Sequence, residues 1–280
     1  MIPQAVLTYW RATHAPWTGD DQVEQDLVIS RALVDLYSDK LIADSLAFRG
    51  GTALNKLFLP TMSRYSEDID LVQVRAESIG PVMTQIRTVL KWLGTPRYKQ
   101  TKERVTFYFL FPAEPPLEKM MRLKVEISIV EPFTVYGYES RPLEVKSEWF
   151  SGKAEIKTFT LDELLSTKLR ALYQRKKGRD LFDPWMCQNS LKVDQDKVVA
   201  GFLEYMKQKD QKVSRAEFEQ NLSQKLEDKA FREDILPLLR EGVEYDFDSA
   251  ARFMLDEVVS KLPGSSWKRP EQFAIDQSNS

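Results

Sequence analysis

Two aspartates one residue apart are the most chemically suggestive feature of this 280-residue chain. Asp68 and Asp70 flank Ile69 and lead into an apolar run, a pattern that favours a β-strand. Alternate residues of a strand point to the same face, so both carboxylates project together. Two like charges this close are costly unless a cation neutralises them, and Mg²⁺ is commonly held by one or two carboxylates together with substrate phosphates. The pair therefore predicts a metal site, with a solvated strand end as the alternative.

A glycine-containing turn precedes the two aspartates. Gly50, Gly51 and Thr52 lie between a short apolar strand at 46–48 and a helix predicted from Ala53. Glycines let the backbone approach phosphate oxygens, the start of a helix favours anions, and the threonine hydroxyl adds a donor. The segment predicts phosphate binding, and a plain strand-to-helix turn is the alternative.

Two further polar residues lie between this turn and the aspartates. Arg64 can clamp a phosphate through two parallel hydrogen bonds, or it can form a surface salt bridge to Glu67. Ser66 is a second candidate for nucleotide binding. Both residues therefore join the predicted nucleotide site.

A third acid lies on a later strand. Residues 121–130 alternate between apolar side chains such as Val125 and polar ones such as Lys124 and Glu126, which predicts a strand with one polar face. Two-metal phosphoryl transfer commonly uses more than one carboxylate. Glu126 is the candidate by pattern, and an ordinary outward-facing polar residue is the alternative.

The positions of these residues depend on elements that the hydrophobic pattern predicts. Residues 1–19 contain prolines and a glycine and are predicted to be irregular. Beyond them, the pattern predicts helices at 20–41 and 77–93 and strands at 46–48, 69–74, 104–111, 121–130 and 155–160.

From Leu161 onwards the pattern predicts one helix after another. The chain is thus predicted to have an α/β (α+β) core with a mixed sheet over residues 1–160, followed by a helical C-terminal domain over 161–263 that completes the active-site cleft. Residues 264–280 are predicted to be a flexible tail.

Composition excludes several classes of function. The chain is 42% hydrophobic and 29% charged, which is typical of a globular protein. A single cysteine, Cys187, and a single histidine, His14, cannot form a disulfide framework or a thiolate zinc site within the chain. The sequence has no apolar run of about 18 residues and no signal peptide, so we expect a cytoplasmic protein without a membrane partner.

The net charge of −2 argues against nucleic-acid binding through bulk charge, so any RNA contact must come from a local patch. The densest basic segment supplies one candidate, in which an RNA backbone would be bound by Arg170, Arg175, Lys176, Lys177 and Arg179. A solvated helix C-terminus is the alternative, because cations suit that end of the helix dipole.

Two blocks of sequence resemble a known family. The run from Phe48 to Leu54, followed by the run from Arg64 to Leu71, resembles the polymerase-β-type nucleotidyltransferase core. Residues 161–172, with their lysine, and then Arg179 to Asp183 are similar to the AbiEii/AbiGii toxin family. That family is the toxin half of type IV toxin–antitoxin and abortive-infection systems. The resemblance covers residues 20–190, and the combination of both blocks is specific.

The resemblance implies roles for individual residues. Asp68 and Asp70 would hold the metal, with Glu126 as the third acid. Lys168 matches the family lysine that contacts the nucleotide phosphates, and Asp183 matches an acid that the family uses in its active site. Spacing alone favours the alternative for Lys168, a lysine that borders an apolar stripe and reaches water. Asp180 and Asp183 could likewise pair with Arg179 or Lys176.

The same resemblance implies that Gly50, Gly51 and Thr52 bind the triphosphate and that Arg64 is the arginine found ahead of the acidic pair. Many members of the superfamily have serine where this chain has Thr52, and threonine keeps the hydroxyl.

The implied activity is transfer of a nucleotidyl group from an NTP, with Mg²⁺ (or Mn²⁺), to an RNA acceptor such as a tRNA 3′ end, with growth arrest as the outcome. A separately encoded antitoxin is implied, which need not bind the toxin. The first alternative is an enzyme of the same fold that modifies a small molecule or a protein side chain. The second is a non-catalytic binding module that has kept the fold.

Overall fold

The computed structural model describes residues 2–114 and 119–268. In this part of the chain, seven strands form one sheet. Their bounds are β1 (Leu46–Arg49), β2 (Asp68–Gln73), β3 (Arg97–Gln100), β4 (Arg104–Pro112), β5 (Met120–Ser128), β6 (Tyr138–Lys146) and β7 (Ser151–Phe159).

The sheet is mixed, with the strand order β3-β4-β5-β2-β1-β7-β6. β1 runs parallel to β7 and β2 runs parallel to β5, whereas the remaining neighbours are antiparallel. The two acidic strands, β2 and β5, are therefore direct neighbours near the middle of the sheet. This places Asp70 opposite Glu126 in the register.

Helices surround the sheet and then follow it in sequence. Those before or within the sheet region are α1 (Gln4–Thr13), α2 (Asp20–Ser38), α3 (Lys40–Ser45), α4 (Gly50–Leu57) and α5 (Gly80–Val89). Those after it are α6 (Leu161–Gln174), α7 (Arg179–Ser190), α8 (Gln195–Lys207), α9 (Arg215–Leu226), α10 (Lys229–Glu233) and α11 (Phe247–Phe253). The predicted fold class, an α/β core with a mixed sheet followed by helices, is confirmed.

Alternation along the central strands separates the core from the site. On β5, Leu123, Val125 and Ile127 are completely buried, whereas Lys124 and Glu126 are partly exposed on the other face. The buried face packs against α2, whose Leu27 and other apolar residues lie within the core. The sheet therefore has one apolar face under helices and one polar face that is available for chemistry.

Helix α6 begins after the last strand. The Thr160 side chain accepts a hydrogen bond from the Glu163 backbone nitrogen, which caps the helix at its first turn. Leu164, Leu165 and Leu169 are buried at helical spacing and fix which face of α6 packs inward. This packing buries Lys168 on the side of α6 that faces α7, where its ammonium lies 2.7 Å from Asp183.

Several sequence-based expectations are wrong in detail. Residues 1–19 are not irregular, because α1 occupies Gln4–Thr13 and buries Val6, Leu7 and Trp10 at helical spacing. The predicted helix over 20–41 ends at Ser38. The Asp39 side chain there accepts from the Ile42 backbone nitrogen and starts α3.

The helix expected from Ala53 begins at Gly50, so the glycines form its first turn instead of a preceding loop. Strands β3 and β6 lie at the two edges of the sheet and were not predicted. Of the predicted flexible tail, residues 269–280 lie outside the described residues. Within the described ranges, no helix combines the length and the apolarity that crossing a membrane requires.

Candidate functional site

A pocket of about 600 Å³ lies between the polar face of the sheet and helices α6 and α7. It is lined by four acidic and eight basic side chains. The predicted site residues that line it are Gly50, Gly51, Arg64, Ser66, Asp68, Asp70, Glu126, Lys168, Arg170, Arg175 and Arg179. Four other predicted residues do not line it, namely Thr52, Asp183, Lys176 and Lys177.

The two glycines make room for charged groups. Gly50 has a φ of +83°, and a Cβ placed on it would lie 2.5 Å from Asp70 Oδ2. A Cβ on Gly51 would overlap the Arg64 guanidinium. Both positions therefore require glycine because a carboxylate and a guanidinium pack against the start of α4.

The acidic residues of β2 and β5 share one face of the sheet. Asp68 is opposite Lys124 and Asp70 is opposite Glu126 in the parallel register. The Lys124 ammonium lies 2.7 Å from Asp68 Oδ2 and 3.9 Å from Glu126 Oε2. Glu126 also pairs with Arg104 at 3.2 Å. The carboxylates are thus held on one wall by cations of the neighbouring strands.

Burial raises the pKa of the Asp68 carboxyl above its ordinary value, while Lys124 acts in the opposite direction. The same burial lowers the pKa of Lys124, and the ion pair with Asp68 outweighs it and leaves that pKa raised. Within residues 2–114 and 119–268, no three His, Cys, Asp or Glu side chains cluster closely enough to hold one ion together. A metal at this site would therefore rest on fewer carboxylates, with other oxygens completing its shell.

Thr52 has a structural position. Its side chain is 1% exposed, and its hydroxyl lies 2.6 Å from the carbonyl oxygen of Asp68 and 2.7 Å from Ser66 Oγ. The hydroxyl that the sequence suggested as a phosphate donor instead fixes the start of β2 against α4. Ser66 does line the pocket.

A buried ion cluster lies on the side of the pocket formed by α6 and α7, here called the helical wall. It consists of Lys168, Arg64 and Asp183. The Asp183 carboxylate accepts from Arg64 Nε at 2.6 Å and from an Arg64 terminal nitrogen at 2.8 Å. Lys168 Nζ lies 2.7 Å from the same carboxylate. Arg64 therefore directs its fork at Asp183, 119 residues away in sequence, and not at Glu67 as the surface alternative suggested.

Asp180 extends this cluster. It is completely buried and accepts two hydrogen bonds from Arg175, at 2.6 and 2.8 Å, and Lys168 Nζ lies 3.5 Å away. Asp180 and Asp183 are therefore paired with Arg175, Arg64 and Lys168. Neither Arg179 nor Lys176, which are nearby in the sequence, forms an ion pair with them. Lys168 is held between two carboxylates, which fixes its ammonium at the wall of the pocket.

The electrostatics of Asp183 reflect this arrangement. Burial opposes ionisation of its carboxyl group, but the adjacent Arg64 and Lys168 hold its pKa well below the usual range. Cys187, one turn further along α7, is buried, and burial raises the pKa of its thiol. Asp183 is thus ionised and fully occupied by its two cations.

Most of the predicted RNA-binding patch is neutralised by acids. Arg170 forms two hydrogen bonds of 2.9 Å with Glu131. Lys176 pairs with Asp228 at 2.6 Å, and Lys177 pairs with Asp234 at 3.3 Å. With Arg175 bound to Asp180, only the guanidinium of Arg179 makes no ion pair among the described residues. RNA binding by this segment stays a prediction to which these ion pairs give little support.

Sequence reasoning assigned no role to Arg49. It is the last residue of β1, it lines the pocket beside Gly50, and in the described part of the chain it forms no ion pair. Its position immediately before the glycines was the available signal. Arg49 and Arg179 are thus two pocket arginines that form no ion pair within the described residues, and Asp70 lies opposite Arg49 in the register of β1 and β2.

Comparisons with known proteins agree with this geometry. The profile of a family described as "Nucleotidyl transferase AbiEii toxin, Type IV TA system" matches residues 31–252. MenT4, a nucleotidyltransferase toxin from Mycobacterium tuberculosis H37Rv, has a similar structure, with a TM-score of 0.63 and 14% identity over 94% of this chain and 91% of that one.

JHP933 from Helicobacter pylori is similar with a TM-score of 0.53 and 15% identity, over 86% of this chain and 91% of that one. At these identities the likeness shows a shared fold. No curated protein sequence matches the chain.

Proposed function

Because the chain belongs to the family of AbiEii nucleotidyltransferase toxins of type IV toxin–antitoxin systems, we propose that its pocket transfers a nucleotidyl group from an NTP to the end of an RNA, such as a tRNA 3′ end. The observation that carries the proposal is the position of Asp68 and Asp70. They share one sheet face in a basic pocket. Beside them, Gly50 has a positive φ and leaves no room for a Cβ next to Asp70.

The donor chemistry of this wall fits a hard divalent cation. Carboxylate oxygens are the ligands that Mg²⁺ and Mn²⁺ prefer. Because Gly50 has no Cβ, Asp70 Oδ2 can lie against the start of α4 without a clash. Asp68 and Asp70 would hold the ion, and Glu126, which was expected as a third ligand, lies on the same wall without completing a three-acid cluster among the described residues. When bound, the ion would supply positive charge that offsets the triphosphate and favours attack at its α-phosphorus.

The triphosphate would lie against the basic groups of the pocket. Arg49 and Arg179 have guanidinium groups without ion-pair partners in the described residues, so they can contact phosphates without breaking a salt bridge. Lys168 presents its ammonium at the pocket wall, where two carboxylates hold it in place. The backbone nitrogens of Gly50 and Gly51 begin α4 and favour anions.

The reaction is a substitution at phosphorus. The acceptor hydroxyl oxygen forms a bond to the α-phosphorus, the bond from that phosphorus to the bridging oxygen breaks, and pyrophosphate leaves. A carboxylate of the sheet wall accepts the hydroxyl proton. Asp183 acts differently, because both of its oxygens are occupied by Arg64 and Lys168. Its role in the proposal is to position these two cations.

The test is incubation of the protein with each of the four α-labelled NTPs, a divalent metal and total cellular RNA. We expect label in RNA with at least one nucleotide, and no label when the metal is chelated. Label found only in small molecules or in protein would contradict the RNA acceptor and favour the first alternative. No label in any fraction would contradict nucleotidyl transfer by this pocket.

Toxicity is tested separately. Expression of the wild type is expected to arrest bacterial growth, and expression of Asp70→Asn at the same level is expected not to do so. Co-expression of a neighbouring antitoxin gene should relieve the arrest, whether or not the two proteins bind each other. Equal arrest by both variants would detach toxicity from the proposed reaction.

A further inference from the structure

Two rows of side chains run across the sheet from the aspartates to its free edge. In the first row, Asp68 is opposite Lys124, Lys124 is opposite Tyr108, and Tyr108 is opposite Arg97. Directly paired residues of neighbouring strands point to the same face. The row therefore connects the acidic pair to the edge strand β3 over three strand spacings, about 14 Å.

The second row has the same direction. Asp70 is opposite Glu126, Glu126 is opposite Thr106, and Thr106 is opposite Lys99. The pocket lining already includes Lys124, Glu126 and Arg104 from the same face. The surface formed by Arg97, Lys99, Tyr108 and Arg122, here called the open face, is therefore continuous with the pocket.

The charges of the open face differ from those of the predicted basic patch. Arg97, Lys99 and Arg122 are exposed, and none of them forms an ion pair within residues 2–114 and 119–268. By contrast, four of the five cations of the patch are bound to acids. Between Glu126 and the edge strand, the strand positions of this face carry no aspartate or glutamate. The open face is thus an uncompensated cationic surface.

An aromatic ring lies among these cations. Tyr108 is half-buried, and the Arg122 guanidinium lies 5.4 Å from the centroid of its ring. Arg97 and Lys124 flank Tyr108 on the neighbouring strands. An aromatic side chain surrounded by arginine and lysine on an open sheet is the arrangement that stacks an unpaired base and contacts its phosphates.

We propose that the open face binds the single-stranded end of the RNA acceptor, with a base stacked on Tyr108 and phosphates against Arg97, Lys99 and Arg122. This proposal rests on the proposed function, because it states where the acceptor of that reaction lies. The RNA strand would run along the two rows of side chains. Its terminal hydroxyl would then lie at Asp68 and Asp70, on the polar face of the sheet.

The test measures binding of a fluorescent single-stranded RNA of about ten nucleotides, together with the KM values for RNA and NTP. The variant Arg97→Glu/Lys99→Glu/Arg122→Glu is compared with Lys91→Glu/Lys192→Glu/Lys212→Glu. The second variant is the control. It reverses the charge of three exposed lysines that form no ion pair in the described residues and do not line the pocket. Both variants change the net charge equally.

We expect the open-face variant to bind RNA at least about tenfold more weakly, with the KM for NTP unchanged. The slope of log Kd against log salt concentration should fall by about 2, as the loss of three phosphate contacts to a single strand predicts. Tyr108→Ala should weaken binding about tenfold, and Tyr108→Trp should restore it. The lysine control should behave like the wild type.

Equal RNA binding by the two triple variants would overturn the proposal, as would tighter binding of DNA than of RNA of the same sequence. If the wild type labels RNA and the open-face variant does so with an unchanged KM for RNA, the surface is wrong while the proposed function stands. If the open face binds RNA but the wild type labels none, the proposed function fails and the binding surface stands.

Discussion

The two walls of the pocket carry similar residue types in different environments. On the sheet wall, the side chains of Asp68 and Glu126 remain 32% and 26% exposed, and their cation partners are also partly exposed. On the helical wall, Asp183 and Asp180 are 2% and 0% exposed and are bound by Arg64, Lys168 and Arg175.

This difference separates two uses of an aspartate. A partly exposed carboxylate on a strand face can be reached by an ion or a substrate, because its present cation partner, Lys124 or Arg104, is also partly exposed to water. A buried carboxylate that accepts from an arginine fork and a lysine has no free oxygen, and its removal leaves two buried charges unpaired. The sheet wall is therefore suited to chemistry and the helical wall to positioning.

The largest effect on stability should come from breaking the helical wall. Asp183→Asn leaves Arg64 and Lys168 without their shared anion, so we expect the free energy of unfolding to fall by about 3–5 kcal/mol. Urea denaturation measures this loss. The matched control is Asp44→Asn, which removes an exposed ion pair with Lys40 and should leave the urea midpoint unchanged. Equal midpoints for the two variants would contradict the comparison.

The pH dependence of stability sharpens the same contrast. The pKa of Asp183 is depressed in the folded state, so its contribution is present above the unfolded pKa of about 3.9 and is lost as pH falls toward the folded value. We expect wild-type stability to decline below about pH 4, and the decline to be shallower in Asp183→Asn. Urea midpoints measured from about pH 6 down to about pH 3 provide the measurement. If the urea midpoints of the wild type and of Asp183→Asn fell in parallel with pH, other carboxyl groups would be responsible for the loss of stability in acid.

A smaller effect on stability is expected at the turn that serves the sheet wall. Gly50→Ala places a Cβ against Asp70 in a left-handed backbone conformation, at a cost of about 1–3 kcal/mol, and should displace the carboxylate. Gly94→Ala has similar backbone strain, with a φ of +87° and no atom near the added Cβ. Label transfer should fall more than tenfold in the first variant only. Equal activity of the two variants would show that the function of Asp70 does not depend on its close contact with Gly50.

The smallest effect concerns Thr52. Thr52→Val removes the hydrogen bond to the Asp68 carbonyl and the contact with Ser66, and should destabilise the fold by about 1 kcal/mol. Thr52→Ser keeps the hydroxyl and should match the wild type. If Thr52→Val raised the KM for NTP without affecting stability, the hydroxyl would contact the substrate after all.

Local pattern predicted the central strands because their burial alternates or is complete. On β5, the division between Val125 and Lys124 is visible in the sequence and is the division between core and pocket. The two edge strands, β3 and β6, were not predicted, and the reason is physical. β3 is exposed at every position, and β6 contains Pro142, which an edge strand tolerates. Neither has the apolar periodicity that a buried strand shows.

The site was predicted as far as its local motifs extend. The Gly50 turn and the two aspartates are separated by 20 residues or fewer, and their types indicate their chemistry. The partners of Arg64 and Lys168 could not be predicted, because pairs such as Arg64 and Asp183 are formed by packing of distant elements. The unpaired state of Arg49 likewise depends on which acids the fold brings near it.

The most direct test of the account is label transfer from an α-labelled NTP to RNA by Asp70→Asn, with the folded state verified by an unchanged urea midpoint. The account predicts that the variant remains folded and that transfer falls by about 10³-fold or more, a loss of several kcal/mol of transition-state stabilisation. Transfer at the wild-type rate by a folded Asp70→Asn protein would contradict the assignment of the reaction to the sheet wall.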